Sequence, residues 1–372
     1  MSKSLLEHFS VLSDPRQSWK VIYPLNEVLL IVLCATMAGA DDFVEIEQWS
    51  NNKLAFLRRF LPFEKGLPSH DTLNDVINAL PAKDFSDCFI SWVDSLRENE
   101  PDIVAIDGKT SRRAHNKSHE QNPLHLVSAW ASRQRLVLGQ EACAEKSNEI
   151  TAIPALLERL ELTGALVTID AMGCQSKIAK AIRKKGADYL LALKGNWPLL
   201  FKEIELLFQN DAKQILEHHE TIDGDHGRIE SRRYFVCHDV SWLMDENRFA
   251  GEWDFEDLSM IGMVESITER EGKICSENRY YLSSASLSAQ QFAGAVRSHW
   301  GIENRLHWVL DVVFHDDLMR LRTEHGPANM ATVRHLCLNM IRNIKGKTSL
   351  KVRRKTMGWN DDYLFNSIKG LI

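Results

Sequence analysis

Two aspartates lie where short apolar runs end, and carboxylates placed in this way can hold a divalent cation. Asp107 closes the run of residues 103–107 (IVAID), and Asp170 closes the run of residues 165–170 (ALVTID). Each run has the length and composition of a buried strand. A single aspartate in this setting usually caps a turn or a helix. Two of them on neighbouring strands would repel each other unless a cation neutralised them, and carboxylate oxygens favour Mg²⁺ or Mn²⁺.

A third acid, Glu303, lies in a segment predicted to be helical. Helical spacing places it on a mostly apolar face, together with Val296, Trp300, Leu306, His307 and Leu310. We expect this face to point at the core, where a carboxylate is costly unless a metal or another cation pairs with it. Glu303 could therefore bind a metal, or it could form a salt bridge with Arg297 or Arg305. The spacing alone does not distinguish these two roles.

Several basic residues could contact phosphate groups, although each also has a plainer explanation. Lys109 either contacts a phosphate or remains a surface lysine. Gly108-Lys109-Thr110 resembles the end of a P-loop, but that motif needs a glycine where Ile103 stands, so we exclude a P-loop ATPase. Arg228 and Arg232 lie in the segment HGRIESR, which is either a DNA-contacting strand edge or a solvated hairpin.

The segment after Glu303 contains further acids and histidines. We expect surface or capping roles for its aspartates, although they could support the site. These aspartates are Asp311, Asp316 and Asp317. The histidines stand eight residues apart, at His299, His307 and His315. Zinc ligands on one helical turn are about four residues apart, so we expect packing or polar roles for the histidines.

A mixed sheet flanked by helices is predicted to position the two aspartates. After Pro101 the order of elements is β-β-β-α-β-α-β. Three strands joined by tight connections, followed by alternating helices and strands, give such a sheet. The predicted strands are 103–107, 124–131, 135–139, 165–170 and 189–194, and the helices are 149–162 and 175–185. This is the order of a ribonuclease H-like core, so we predict the α/β (α+β) class.

The predicted core is flanked by segments of different character. The first hundred residues are helical by periodicity, with helices over 28–40, 43–61 and 84–96 and one that Ser69 or Asp71 caps. This unit is either a DNA-binding module or a packing and dimerisation domain. Residues 196–285 form a predicted β-rich insertion, with strands at 232–238, 260–267 and 279–282. Helices over 288–314 and 327–344 follow.

We divide the chain accordingly into an N-terminal helical domain, a core in two parts, the insertion between them and a basic tail. The ranges are 1–98, 99–195, 196–285, 286–345 and 346–372. The second part of the core carries Glu303.

The overall charge argues against a strongly basic DNA-binding domain, because the 372 residues carry a net charge of -6. Any nucleic-acid surface must be local, and residues 342–355 offer seven basic residues without an acid, as either a solvated tail or a phosphate contact. The 7 cysteines are scattered without a C-x-x-C pair, which indicates neither disulfides nor zinc fingers. The most apolar run, 28–40, is too short to span a bilayer. We expect a soluble, cytoplasmic protein with no membrane partner.

Longer motifs add a resemblance to these observations. The chain resembles the DDE transposase superfamily, which has the ribonuclease H-like fold. Within it the chain is similar to the bacterial H-repeat-associated insertion-sequence transposases. The resembling segments are GLPSHDTLNDV, AIDGKTSR, KSNEITAIP, TIDAMGCQ, LALKGN, HGRIESR and RSHWGIENRLHWVLDVVFHDD. They extend over almost the whole chain, and the last is long and specific.

The resemblance implies that Asp107, Asp170 and Glu303 are a catalytic triad that holds two Mg²⁺ or Mn²⁺ ions. The implied reaction is two-metal-ion phosphoryl transfer, with element ends and target DNA as partners and a homodimer on the DNA. Many relatives carry a Tyr-x-x-Arg before the glutamate and a lysine after it. Here those positions are Val296, His299 and Leu310. The assisting basic residue is therefore open, with candidates Arg297, His299 and Arg305.

Three functions are compatible with this sequence. The first is an active transposase that cuts element ends and joins them to target DNA. The second is a catalytically silent DNA-binding remnant, and the third is a metal-dependent DNA nuclease without strand transfer. Intact acids favour the first and do not exclude the others.

Overall fold

The computed structural model describes residues 3–98, 100–111, 123–143, 149–209, 216–225, 228–243, 253–270 and 273–372. One hydrophobic core extends from Leu5 to Ile368 and joins the N-terminal helices, the central sheet and the C-terminal helices. Within these ranges, no helix combines the length and apolar character needed to cross a bilayer.

The first hundred residues are helical, as the periodicity predicts. The helices are α1 (Leu5–Phe9), α2 (Leu25–Ala38), α3 (Phe43–Leu57), α4 (His70–Ala79) and α5 (Ala82–Leu96). The apolar run at 28–40 lies mainly in α2, and its residues 28–37 are buried. Ser69 caps α4, because its side chain accepts a hydrogen bond from the backbone N–H of Thr72. The ends of α3 and α5 differ from the predicted ends by a few residues.

The central sheet confirms the predicted mixed α/β architecture. Its first part comprises β1 (Ile103–Thr110), β2 (His125–Ala131), β3 (Leu136–Ala142), α6 (Glu149–Arg159), β4 (Leu166–Ile169), α7 (Ser176–Lys184) and β5 (Asp188–Leu193). Strand β1 pairs antiparallel with β2 and parallel with β4, and β4 pairs parallel with β5. The spatial order β3-β2-β1-β4-β5 is that of a ribonuclease H-like sheet.

The β-rich segment continues this sheet. After α8 (Pro198–Gln209) it forms β6 (Glu217–Asp225), β7 (Arg228–Cys237), β8 (Met260–Arg270) and β9 (Lys273–Ser283). Strand β9 pairs with β5, so the full order is β3-β2-β1-β4-β5-β9-β8-β7-β6. Strands β8 and β9 contain the predicted runs 260–267 and 279–282 and are longer than predicted, while β7 covers the run 232–238 except its last residue. Strand β6 was not predicted, because its residues (EHHETIDGD) contain almost no apolar alternation.

The predicted long helix over 288–314 is interrupted. Helix α9 (Ala289–His299) begins at Ser288, whose side chain accepts from the backbone N–H of Gln291 in a capping box. A π-helical turn (Glu303–His307) and the short helix α10 (Trp308–Val313) follow. A π-turn inserts extra backbone into a helix. The residues after it therefore face directions that continuous α-helical spacing does not predict.

The C-terminal region is helical throughout. Its helices are α11 (Gly326–Asn343), α12 (Leu350–Trp359) and α13 (Asp361–Ile368). Residues 346–372 were expected to be a basic tail, and this expectation is wrong, because α12 and α13 pack on the core. Two of the basic residues are buried. Arg353 donates to the carbonyl of Ile341 at 3.0 Å, and Arg354 donates to Asp41 at 2.7 Å, so neither is available to phosphate.

Candidate metal site

The two aspartates lie side by side at the carboxyl end of the parallel strand pair. Ile106 of β1 is in register with Ile169 of β4, and the next residues along the two chains are Asp107 and Asp170. Strand β4 ends at Ile169, so Asp170 follows a strand end as predicted. Strand β1 continues to Thr110 against β2. The expectation that Asp107 ends its strand is therefore wrong, although Asp107 does lie where its parallel partner stops.

The three predicted acids line one cavity. Asp107, Asp170 and Glu303 all border a cavity of about 550 Å³ between the sheet and the end of α9. Their side chains do not form a compact set of ligands. In the part of the chain that the structure describes, no group of three or more His, Cys, Asp or Glu side chains is gathered as a ready metal site.

Asp107 lies in an environment that disfavours its charge. Burial raises the pKa of Asp107 to about 7, and the negative charges of Asp170, Glu149 and Glu303 add to this effect. A hydrogen bond from the backbone of Gly108 opposes the rise without cancelling it. The Asp107 carboxylate therefore lacks the positive partner that would make it stable in the ionised form.

The backbone holds Asp170 in place. Its Oδ1 accepts hydrogen bonds from the N–H groups of Met172 at 3.0 Å and Gly173 at 3.3 Å. This is the turn-capping role that a lone aspartate after a strand usually has. Asp170 combines this role with its position on the cavity wall, because both hydrogen bonds of the turn go to Oδ1.

Glu303 reaches the cavity from the first position of the π-helical turn. The expected burial of Glu303 is wrong, because Glu303 is exposed and Trp300 beside it is 42% exposed. Other residues of the predicted face are buried as expected, namely Val296, Leu306 and Leu310. The broken helix turns the glutamate toward the open side of the cavity. The alternative of a salt bridge to Arg297 also fails, since Arg297 pairs with Asp223 at 3.2 Å.

The donor atoms on this cavity fit a hard divalent cation. Its three carboxylates are oxygen donors of the kind that such an ion prefers. The pKa of Asp107 is raised first by burial and then by the neighbouring acids, and a cation would offset both effects. The exposed Glu303 leaves one side open. The chemistry of the ligands therefore suits Mg²⁺ or Mn²⁺, while the gathering of the three side chains would have to accompany binding.

Comparison with known proteins identifies the family. Residues 98–340 match the family described as Transposase DDE domain, and residues 6–93 match the associated DDE_Tnp_1-associated family. The chain belongs to the DDE transposase family. It is 38% identical over 374 residues to the "H repeat-associated putative transposase YhhI" of Escherichia coli strain K12, covering 99% of this chain and 98% of that protein.

Two further matches differ in coverage and distance. The "H repeat-associated putative transposase YbfD" of Escherichia coli strain K12 is 39% identical over 246 residues, which are 65% of this chain and 97% of that protein. A solved piggyBac transposase synaptic complex with hairpin DNA shows a TM-score of 0.44 at 12% identity, covering 100% of this chain and 77% of that chain. The resemblance to H-repeat-associated transposases is confirmed by the sequence relatives. The structural likeness is too distant to add to it.

Two histidines of the transposase border the acids, and both are largely buried. His299 Nδ1 lies 3.0 Å from Thr168 Oγ1, and burial lowers the pKa of His299 although Asp170 opposes this. His307 Nδ1 lies 3.6 Å from Asp107 Oδ2, and burial, followed by the charge of Lys109, lowers the pKa of His307 to about 4. Both rings are therefore neutral at pH 7. Neither supplies the missing positive charge, so the polar roles expected for them fit.

A further acid of this site, Glu149, was not predicted as a site residue. Its Oε1 lies 2.8 Å from His125 Nε2, and His125 Nδ1 lies 2.7 Å from Thr110 Oγ1. A Cβ at Gly108 would lie 2.2 Å from that Oε1, so only glycine allows the pair to pack over β1. The only signal in the sequence was the KSNEITAIP segment, which carries part of the family resemblance. Its residues 146–148 lie outside the described part of the chain.

Lys109 has a role that neither of its predicted readings describes. Its Nζ lies 2.7 Å from Asp311, 2.9 Å from Asp316 and 3.5 Å from Asp317. Burial works against this charge, but Asp316 and Asp311 outweigh it and hold the pKa of Lys109 above its usual value. The side chain is only 12% exposed. Lys109 is therefore a buried ion-pair partner, and its charge is not free for a phosphate.

The other predicted DNA-binding residues border a second cavity of about 1000 Å³ on the other side of the α9 terminus. Arg232, Arg297 and Arg305 line it. Arg232 pairs with Asp223 at 3.2 Å and with Glu230, and Arg297 shares Asp223. The charges of Arg232 and Arg297 are thus partly neutralised. The side chain of Arg228 lies outside the described part of the structure.

Proposed function

We propose that this chain is a DNA transposase that cuts DNA at the ends of its element and joins the freed ends to target DNA. The observation that supports this best is the open cavity lined by Asp107, Asp170 and Glu303. The raised pKa of Asp107 adds support, because a binding site for a cation is expected to hold uncompensated negative charge.

In this proposal the three acids hold two Mg²⁺ or Mn²⁺ ions. The bound ions would activate a water or a DNA 3′-hydroxyl as nucleophile and stabilise the leaving oxygen of the phosphodiester. The protein itself positions the three acids. The turn at Met172 and Gly173 fixes Asp170, the strand fixes Asp107, and Glu303 lines the same cavity from the π-helical turn.

Two neutral histidines lie beside the acids. The lowered pKa values of His299 and His307 mean that neither ring would compete with a bound metal ion as a cation. His299 stands where many relatives have arginine. Arg297 and Arg305 remain the candidates for the basic helper, because each lies within two residues of the cavity wall.

We further propose that the protein works in the cytoplasm as a homodimer on paired DNA ends.

The proposal is tested by strand cleavage and joining on DNA that carries the element ends, with Mg²⁺ or Mn²⁺. Asp107→Asn, Asp170→Asn and Glu303→Gln should each reduce cleavage by about 100-fold or more, because each removes a metal ligand. The matched control is Asp75→Asn, which removes one exposed carboxylate from α4 outside the cavity.

The outcomes separate the three functions. Cleavage by any folded triad variant at the wild-type rate would refute the assignment of that residue. Wild type that binds the ends without cutting would be a DNA-binding remnant. Cutting without joining would make the protein a nuclease. Size measurement of the complex on paired ends tests the proposed homodimer.

A further inference from the structure

Three arginines meet behind the π-helical turn. Arg135 lies in the tight turn between β2 and β3, Arg305 lies two residues after Glu303, and Arg342 lies in the last turn of α11. All three line a cavity of about 850 Å³. Sequence spacing gives no hint of this group, which we call the arginine cluster, because its members come from three separate elements.

Arg342 is the centre of the arginine cluster. Its guanidinium lies 4.4 Å from the centroid of the Trp130 ring, and it donates to the backbone carbonyls of Arg135, at 3.4 Å, and Arg305. Burial lowers the pKa of Arg342 to about 9, and the positive charges of Arg135 and Arg305 contribute. A guanidinium in this position lacks the anionic partner that usually accompanies a buried charge.

No acid of the described chain neutralises the cluster. Glu98 borders the same cavity, but it accepts from Arg133 at 2.8 Å instead. Arg135 and Arg305 are exposed, and their side chains form no ion pair within the described ranges. A purely structural explanation accounts for Arg342, which ties two turns together. It does not account for the two exposed arginines whose positive charges act on Arg342.

The arginine cluster is connected to the acid cavity along the protein surface. Trp300 borders both the acid cavity and the 1000 Å³ cavity, while Asn304 and Arg305 border both the 1000 Å³ cavity and the cavity of the cluster. A strand of nucleic acid that passes Glu303 would therefore cross the 1000 Å³ cavity and then reach the cluster. Guanidinium groups match phosphate in shape and charge, because each presents a planar fork of donors.

We propose that Arg135, Arg305 and Arg342 bind a backbone phosphate of the DNA that extends away from the acid cavity. This inference rests on the proposed function, since it takes the bound polymer to be DNA. The cluster would set the path of the DNA. Arg135 and Arg342 line neither the acid cavity nor the turn that carries Glu303, so these two would not take part in the chemistry.

The test is equilibrium binding of a fluorescent DNA duplex, carrying an element end, over a range of NaCl concentrations in the presence of EDTA. Arg135→Gln and Arg305→Gln keep a polar, hydrogen-bonding side chain and remove one charge each. Each should weaken binding by about three- to tenfold and reduce the slope of log K against log salt by about 0.9, the value for one lost phosphate contact. The matched control is Lys184→Gln, an exposed lysine of α7 that lines none of the three cavities.

Thermal unfolding distinguishes binding from a structural role. Removing one of three repelling charges should leave Tm unchanged or raise it, whereas loss of a structural contact would lower it. A parallel series adds inorganic phosphate at constant ionic strength. If phosphate stabilises wild type but the two variants bind DNA with wild-type affinity and slope, the cluster holds a free anion and the proposal is overturned. Wild-type binding by both variants without any phosphate effect overturns it as well.

This result is independent of the result for catalysis. Weakened binding by the variants in a protein that never cuts DNA would support the cluster and refute the proposed activity. Variants that bind and cut as wild type does would refute the cluster and leave the proposed activity intact.

Discussion

Two groups of acids lie close together along β1 and differ in their counterions. Asp107 lines the acid cavity with Asp170 and Glu303, and no cation pairs with it in the described structure. Two residues further on, Lys109 is surrounded by aspartates. Of these, Asp316 is buried and also accepts from Arg334 at 3.0 Å. We call this second group the Lys109 cluster.

The two groups shift the pKa of a buried carboxyl group in opposite directions. Burial acts on both Asp107 and Asp316 by raising the pKa. At Asp107 the neighbouring acids add to that rise, and the pKa is about 7. At Asp316, Arg334 and Lys109 overcome burial and hold the pKa below its usual value. The Lys109 cluster thus has its counterions within the protein, whereas Asp107 has no charged cation beside it in the described structure.

The largest expected effect is on the stability of the Lys109 cluster. Asp316→Asn leaves Arg334 and Lys109 buried with less compensating charge, and it should reduce the free energy of unfolding by about 3–5 kcal/mol. Urea denaturation measures this. The control is Asp317→Asn, whose side chain is 32% exposed and whose loss should cost only about 0–1 kcal/mol. Equal losses of unfolding free energy for the two variants would show that the burial of Asp316 does not determine its contribution to stability.

In metal-free buffer, removing an acid from the acid cavity should stabilise the protein at high pH, whereas removing Asp316 destabilises it. Asp107 has a pKa of about 7 in the folded protein, against 3.8 for the unperturbed group. Between those values the folded state holds a proton that the unfolded chain releases, so stability falls as pH rises. Asp107→Asn removes this dependence. It should exceed wild type in unfolding free energy at pH 8 by on the order of 2–4 kcal/mol and match it near pH 4.

The pH profile of Asp316 has the opposite sign. Its lowered pKa contributes stability that is present at neutral pH and is lost as pH falls through the folded value. Chemical denaturation of wild type, Asp107→Asn and Asp316→Asn from pH 3 upward measures how the unfolding free energy of each depends on pH. A wild-type curve that runs parallel to that of Asp107→Asn at every pH would contradict the difference between the two groups.

The smallest effect concerns added metal. Mg²⁺ at ten times its Kd should raise the free energy of unfolding of wild type by about 1.4 kcal/mol. The gain should be larger at pH 8 than at pH 5, because protons on Asp107 compete with the ion. Calorimetry measures this gain, and a sample with NaCl at matched ionic strength in place of Mg²⁺ is the control. Asp107→Asn should lose the gain and Asp317→Asn should keep it; a gain of equal size in both would place the ion elsewhere.

Much of the fold could be predicted because it depends on local patterns. Apolar runs of strand length gave β1 and β4, and helical periodicity with a capping serine gave α4. The same patterns failed where polarity hid a strand, as in β6, or where basic residues concealed a packed helix, as in α12. Composition does not reveal that Arg354 lies among carbonyls contributed by distant elements.

The sequence alone determined that two acids stand beside neighbouring strand ends and that a third lies on a later helical segment, because strand and helix periods are properties of adjacent residues. Only the tertiary structure decided what surrounds those acids. The partners of Lys109 lie some 200 residues further along the chain, the π-turn exposes Glu303, and Glu149 packs over Gly108. These outcomes depend on contacts between distant segments, and it is those contacts that leave Asp107 without a cation and Asp316 with two.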